Sequence, residues 1–350
     1  MLLRQIELVN FRNHKNLKID FSPSTILIGR NGVGKTNILE AISIISTGFS
    51  WRTRKDEELI RWDDIFSKVI AKRNQDKIEV VNFRDKKKNN LFRINGLSKK
   101  KIDLLGLMPT VLFTPENLSI ITGPPVTRRR FLNFLLIQID KNYVEALVLY
   151  NKIIRLRNAL LENIAQNQTR IKELDFWNIK LAKAGSIIIA KRTAAIEYFN
   201  NLVKDYLKKM GKKKLVQVQI KYLPNVDSKT DFLTVLKNNQ RRELQYKTTL
   251  YGPHRDDLEI IVDKKPARNF SSRGETRSII LAIKRTELDF LRANTNQEPL
   301  LLLDDIFSEL DKSTRENLHS LLDAEQIIFT AADREIVPKN IMDKAEIIKL

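Results

Sequence analysis

Apolar and polar residues alternate at the start of the chain, first at Ile6 and Leu8 and then at Leu17, Ile19 and Phe21. A period of two places such side chains on one face of a strand, so two strands are predicted to flank the turn "FRNHKN". "TILIG" (25–29) reads as a buried strand, and "KTNILEAISII" (35–45) follows with Ile38, Ala41, Ile42 and Ile45 on one helical face. "FRINGL" (92–97) carries an Asn-Gly pair between apolar residues, which predicts a hairpin. From about 126 to 210 there is no proline and only Gly185, while apolar residues recur at helical spacing through "YVEALVLYNKIIRLRNALLENI". This stretch is an all-helical insert, too short for a long coiled-coil arm. Strand alternation returns in "LVQVQIKYL" (215–223). A helix from about 274 to 292, a buried strand "LLLL" (300–303), a helix near 313–322 and a strand "IIFT" (327–330) complete the pattern.

Composition narrows the class. With 350 residues, 42% of them hydrophobic, the chain can bury a substantial core. The absence of cysteine excludes disulfides, thiolate nucleophiles and CxxC zinc sites, and suits a reducing, cytoplasmic location. Only three histidines leave little room for a histidine metal site. Apolar runs such as "FLNFLLIQI" (131–139) fall far short of the roughly 20 residues of a membrane span. The start "MLLRQIELVNF" carries Arg4 and Glu7 where a signal peptide is apolar, so a soluble protein without a membrane partner is expected. The net charge of +20 favours a phosphate-rich partner, although a lysine-rich genome gives the same excess.

The chemistry begins at "GRNGVGKT" (29–36), which fits G-x-x-x-x-G-K-[ST] and stands between a strand and a helix. In such a loop Gly29, Arg30, Asn31, Gly32, Val33 and Gly34 turn backbone N–H groups toward nucleotide phosphates; Lys35 reaches the β and γ phosphates, and Thr36 offers its hydroxyl to Mg²⁺. "LLLLDD" (300–305) supplies the complementary carboxylates, Asp304 for the metal and Asp305 as a general base or orienting acceptor for an attacking water. Capping of the next turn is the plainer alternative for both. About 270 residues and a helical segment separate the two motifs, the layout of an ABC-type ATPase head rather than a compact GTPase or small kinase. The expected fold is therefore α/β, with a mixed nucleotide-binding sheet lobe (1–125 and 215–350) and a helical second lobe (126–214); the signature region is shared with that second lobe.

In their order along the chain, "NFRNHKNLKIDF", "IGRNGVGKTNILEAI", "FTPENLSIITGPPVTRRRFLN", "YGPHRDDLEI", "SSRGETRS" and "LLLDDIFSELD" resemble the RecF family of bacterial recombination mediators, within the ABC ATPase superfamily that includes the SMC proteins. The resemblance runs almost end to end. It implies an ATP-dependent homodimer that binds single-stranded DNA or single-strand/double-strand junctions, works with RecR and RecO-like proteins, and has a weak, DNA-stimulated ATPase. "SSRGE" is similar to the ABC signature, with Ser272 and Gly274 as γ-phosphate contacts across a two-fold axis. Arg273 and Glu275 depart from the glycine and glutamine of most signatures, and Asp305 from the usual glutamate. "SELD" (308–311) resembles the D-loop, Thr330 falls where transporters carry the switch histidine, and Arg12 matches a nucleotide-reaching arginine of SMC-like heads. Glu116 reads as a Q-loop residue or as a helix cap, and His254 in "GPHRDD" as structural.

For DNA the candidates are the runs Lys86–Lys88, Lys99–Lys101, Arg128–Arg130, Lys212–Lys214 and Arg241 with Arg242, of which Arg128–Arg130 reads equally as pairing with acidic residues inside the fold. No aromatic platform stands near them in sequence, so phosphate contact without base readout is expected. A transporter ATPase subunit and a P-loop kinase or nuclease remain as alternatives at this stage. The DD pair and the "FRN" block argue against the first; the second lacks a further acidic metal cluster.

Overall fold

The computed structural model describes the chain except Met1, Arg54, Lys86, Lys213, Lys214, Val216, Ser228, Lys229, residues 311–314 and 316–322, and the side chain of Glu309. The helix expected near 313–322, Asp311 of "SELD" and parts of two basic runs lie outside the described residues. Two compact units emerge, Met1–Leu118 with Arg277–Leu350, and Ser119–Thr276.

In the first unit β1 (Leu3–Phe11) and β2 (His14–Asp20) form the predicted hairpin, closed by Phe11 opposite His14. After β3 (Ser24–Ile28) and α1 (Lys35–Thr47), the antiparallel sheet continues with β4 (Phe66–Arg73), β5 (Asp76–Phe83), β6 (Leu91–Ile94) and β7 (Leu97–Lys99), in the order β2-β1-β4-β5-β6-β7. Asn95 and Gly96 both have positive φ, the conformation that a tight Asn-Gly hairpin turn requires. β8 (Thr110–Phe113) follows; β9 (Val218–Leu223), β10 (Asp257–Val262) and β11 (Lys265–Pro266) belong to the second unit. With β12 (Leu300–Leu303), β13 (Gln326–Ala331) and β14 (Glu346–Lys349) the first unit completes a parallel sheet of order β14-β3-β13-β12-β8.

Helix α1 departs from the one-faced pattern expected of it. Ile38, Leu39, Ala41, Ile42, Ile44 and Ile45 are all buried, in one cluster with Leu8 and Val69 of the antiparallel sheet and Leu302 and Ile328 of the parallel one. A helix with a sheet on either side buries aliphatic side chains on more than one face, and each such Ile or Leu contributes about 1.5–3 kcal/mol. Gly48, with φ 69°, ends the helix by donating its N–H to the Ile44 carbonyl at 2.7 Å.

The second unit holds the helices Pro125–Leu136, Lys141–Ala165 and Glu173–Lys209, within the stretch expected to be helical, and runs on to Thr276. The reason is the small sheet β11-β10-β9. The Asn200 side chain, on the longest helix, donates to the Ile220 carbonyl at 2.8 Å and accepts from its N–H at 2.7 Å, satisfying the otherwise unpaired edge of β9. Charge locks the same packing. Arg192 pairs with Asp256 at 2.9 Å and Arg157 with Glu243 at 2.5 Å, all four buried, while Arg128 grips Asp257 through two hydrogen bonds of 2.6 and 2.9 Å. Arg129 donates to the Asp256 carbonyl at 2.7 Å. Of the two readings of the run Arg128–Arg130, its first two residues take the one of internal pairing.

Candidate nucleotide site

The loop "GRNGVGKT" leaves β3 and enters α1. Gly32 and Gly34 have φ of 87° and 110°, where a side chain is strained. At Gly34 space forbids one as well, because a Cβ would sit 2.3 Å from His14 Nε2 and 2.6 Å from Asn13 Oδ1. Those two side chains hold the loop: Asn13 Nδ2 donates to the Val33 carbonyl at 2.9 Å, and His14 Nε2 lies 3.2 Å from the Gly34 carbonyl. Gly34 is also the N-cap of α1 and brings no side chain to its first-turn amides, which leaves them for an anion. Lys35 folds across the loop, its ammonium donating to the carbonyls of Gly29 at 2.5 Å and Arg30 at 3.2 Å. Burial lowers its pKa, and the Asp305 and Asp304 carboxylates work against that shift.

β12 delivers the carboxylates to the same place. Its pairing with β8 carries on into a 2.8 Å bond from the Asp304 N–H to the Phe113 carbonyl. The Thr36 hydroxyl lies 2.8 and 3.0 Å from the two Asp304 oxygens, across 268 residues of chain. Thr330, at the end of β13, donates to Asp304 Oδ1 at 2.7 Å and accepts from the Asp305 N–H at 2.9 Å. Burial raises the Asp304 pKa above the usual carboxylate range; hydrogen bonds from Thr330 and Thr36 oppose this, and the negative charges of Glu116 and Asp305 add to it. Asp305 has φ 46°, receives a 3.1 Å bond from Ser308 on Oδ2, and keeps Oδ1 buried without a partner. A buried orphan oxygen costs about 1–3 kcal/mol unless something arrives to satisfy it.

The donor set fits Mg²⁺ carried by a nucleotide. One hydroxyl and one carboxylate, completed by phosphate oxygens and water, make the usual octahedral set, and no group of three or more metal-binding side chains forms a closed cage among the described residues.

The signature turn has its own geometry. The Glu275 carboxylate accepts the Ser272 N–H at 2.8 Å while Ser272 Oγ accepts the Glu275 N–H at 3.2 Å, a reciprocal capping box at the head of the helix Arg273–Thr295. Glu275 is thus turned back on the chain as a cap, and the Ser272 hydroxyl proton is still free to donate. A Cβ at Gly274 would meet nothing within 4 Å, and its φ is not positive. Neither local packing nor backbone conformation calls for glycine there.

Arg12 faces α1. Its guanidinium holds the buried Glu40 through bonds of 2.9 and 2.7 Å and donates to the Glu58 carbonyl at 2.7 Å. Its neighbours Asn13 and His14 touch the P-loop, a role that the "FRNHKN" turn did not announce. His254 is structural: Nδ1 lies 2.8 Å from the Tyr150 hydroxyl and Nε2 3.1 Å from the Thr249 carbonyl. Among the basic runs Lys87, Lys88, Lys99, Lys100, Arg241 and Arg242 are exposed, whereas Lys101 lies over the Phe49 ring at 3.7 Å.

Known proteins are similar to this chain. Residues 2–347 match the family model for the RecF/RecN/SMC N-terminal domain. The DNA replication and repair protein RecF of Lachnospira eligens is 34% identical, over 100% of this chain and 98% of its own. The protein of that name from Clostridium kluyveri is 36% identical over 99% and 97%. A solved structure of the recombination mediator RecF with ATP, from the RecFOR pathway, superposes with a TM-score of 0.88 at 32% identity, covering 96% of this chain and 93% of that one. The Smc head bound to the C-terminal winged-helix domain of ScpA shares the fold at a TM-score of 0.52 and 15% identity, over 99% and 93%. With its P-loop, its Asp304–Thr36 pair and this end-to-end likeness, the chain belongs to the RecF family of DNA replication and repair ATPases.

Proposed function

We propose that this chain is an ATP-gated DNA-binding protein of recombinational repair and replication restart, which closes as a homodimer on ATP and opens after slow, DNA-stimulated hydrolysis. The observation that carries the dimer is Gly274. Glycine is a poorer helix former than alanine, less so in the first turn than in the interior, and nothing within 4 Å of this one needs the missing Cβ. Close approach by a second molecule gives the glycine a purpose. The turn Ser272–Gly274 of one protomer then meets the γ phosphate held by the partner's P-loop, with the Ser272 hydroxyl proton as donor.

Each residue has a part in that cycle. Lys35 and the amides that begin α1 bind and orient the β and γ phosphates, and Thr36 with Asp304 holds Mg²⁺, which supplies charge to offset the phosphates. Asp305, with its orphan oxygen, accepts a hydrogen bond from the attacking water and takes up its proton. The net charge of +20 provides salt-sensitive contact with phosphates of single-stranded or gapped DNA, and RecR and RecO-like proteins are the expected partners. A cytoplasmic site of action follows from this role.

Mixing tests the dimer. Lys35→Ala and Ser272→Arg chains are each expected to lack ATPase alone, yet a mixture regains part of it, because one site of a heterodimer keeps both an intact P-loop and an intact signature. A Ser272→Arg protein that dimerises with ATP like the parent removes the trans contact from the mechanism.

A further inference from the structure

Trp62 is 86% exposed, the most exposed large apolar side chain among the described residues, and Ile65 beside it is 72% exposed. The backbone that carries the indole is fixed. It occupies the second position of a turn closed by a 3.2 Å bond from the Asp64 N–H to the Arg61 carbonyl, with Asp63 at φ 67° in third place, as in a type II turn. Arg84 pins that turn from the strand alongside: its guanidinium donates to the carbonyls of Asp64 at 2.8 Å and Arg61 at 3.0 Å, and its N–H to Ile65 at 3.0 Å. On the other side the Arg61 N–H donates to the Asn10 carbonyl at 2.9 Å. A loop with this many fixed points gives up little conformational entropy when a ligand lands on it.

The pairing of β4 with β5, Phe66 opposite Phe83, brings this turn next to the one that carries Lys87 and Lys88, both exposed. Trp62 is distant from the basic runs in sequence, and this juxtaposition brings an aromatic ring beside one of them. Lys88 Nζ sits 5.6 Å from the Phe83 ring centre, and the local carboxylates are engaged in part: Asp64 with Arg61 at 3.4 Å, and Asp85 with the Lys87 N–H at 2.9 Å, while Asp63 remains exposed. Two apolar side chains ringed by charge make too small and too polar a patch for the core of a protein interface. They do match one flat base with a phosphate on its flank.

We infer that Trp62 is a stacking platform for one unpaired base of DNA, with Lys87 and Lys88 on the adjoining phosphates. This rests on the DNA-binding reading above and assigns it a place where single-stranded and duplex DNA are told apart, since a base within a duplex has both faces already stacked. Anisotropy of the full chain with ATP, on a labelled duplex with an oligo-dT tail and on the same duplex blunt-ended, provides the test. Trp62→Ala should weaken binding of the tailed DNA by roughly 5- to 150-fold, the range of base–aromatic stacking, and leave the blunt duplex unchanged; Trp62→Phe should keep most of the affinity. Because the indole is exposed, the unfolding midpoint should not move. An equal loss on both DNAs, or none on either while the parent binds them, overturns the platform alone. A parent protein that binds neither DNA overturns the DNA-binding reading itself.

Discussion

The Asp304 cluster of the first unit and the Arg192–Asp256 cluster of the second draw on similar side chains but are balanced in opposite ways. Around Asp256 a carboxylate meets a guanidinium at 2.9 Å, the Tyr222 hydroxyl bonds to the same carboxylate, and the Asn225 N–H donates to its other oxygen at 2.8 Å. Around Asp304 two further acids, Glu116 and Asp305, press on a carboxylate already raised by burial, and Asp305 Oδ1 is left without a partner. The first arrangement is complete in itself. The second is completed only by cations and donors from outside, which is how a charge cluster that binds a ligand differs from one that holds helices together. The division is not absolute, since Asn178 Nδ2 in the buried second-unit network also lacks a partner.

The largest expected effect that would break this comparison is on hydrolysis. Asp305→Asn keeps the side-chain shape and the Ser308 contact but removes the base, so the rate of ATP cleavage should fall by about 10²–10⁴ while bound ATP is retained. The denaturation midpoint should not fall, because the substitution removes a charge that presses on Asp304 and keeps the Ser308 contact. Single-turnover hydrolysis and filter retention of labelled ATP measure the two halves. A parent-like rate would move Asp305 from the functional cluster to the structural one.

How much of this was legible in the sequence depends on how local the cause is. The P-loop and "LLLLDD" announce themselves because phosphate binding needs particular residues at fixed spacing on one strand end, and the parallel register then brings Thr36 and Asp304 together. Thr330 was readable as a position, yet its bonds to both aspartates depend on the neighbouring strand. Trp62 and Lys87 are 25 residues apart and become neighbours only through the β4–β5 ladder. Internal pairing of Arg128 is one of two readings open in the sequence, and "GPHRDD" folding back onto it decides between them. Ser-x-x-Glu at 272–275 was fully readable as a capping box, but resemblance to the signature drew attention to what the turn binds rather than to how it is held.

Acid should separate the two clusters by sign. Burial holds the His254 pKa down at about 4; a hydrogen bond to the Thr249 carbonyl opposes that, Arg255 and Arg129 disfavour the proton, and Asp256 favours it. A histidine that is neutral in the fold and titrates near 6.5 when unfolded contributes stability above that value, and this is lost progressively as pH falls toward 4. From pH 7.5 to pH 5 the loss should be about 2 kcal/mol. The raised pKa of Asp304 acts the other way, because its ionised form is the strained one and protonation as pH falls relieves it. Urea unfolding at both pH values, for the parent and for His254→Gln, measures the first effect: the variant should lose less stability between them. An identical slope would place the acid sensitivity elsewhere.

The smallest effect is at the signature turn, where a structural and a functional group share four residues. Glu275 caps the Ser272 N–H at 2.8 Å, so Glu275→Ala should destabilise the protein by about 0.5–2 kcal/mol, whereas Glu275→Gln, equally able to accept that N–H, should sit near the parent in both stability and ATPase. Ser272→Ala removes the reciprocal 3.2 Å bond at a similar cost in stability, and with it the hydroxyl proposed to reach the partner's γ phosphate, so its ATPase should fall by more than the unfolded fraction explains. Chemical denaturation together with ATPase on the three variants distinguishes cap from contact. If Glu275→Gln were as stable as the parent and yet inactive, the carboxylate would have a charge-dependent role in the cycle, and this turn would belong with Asp304 among the clusters that are finished only from outside.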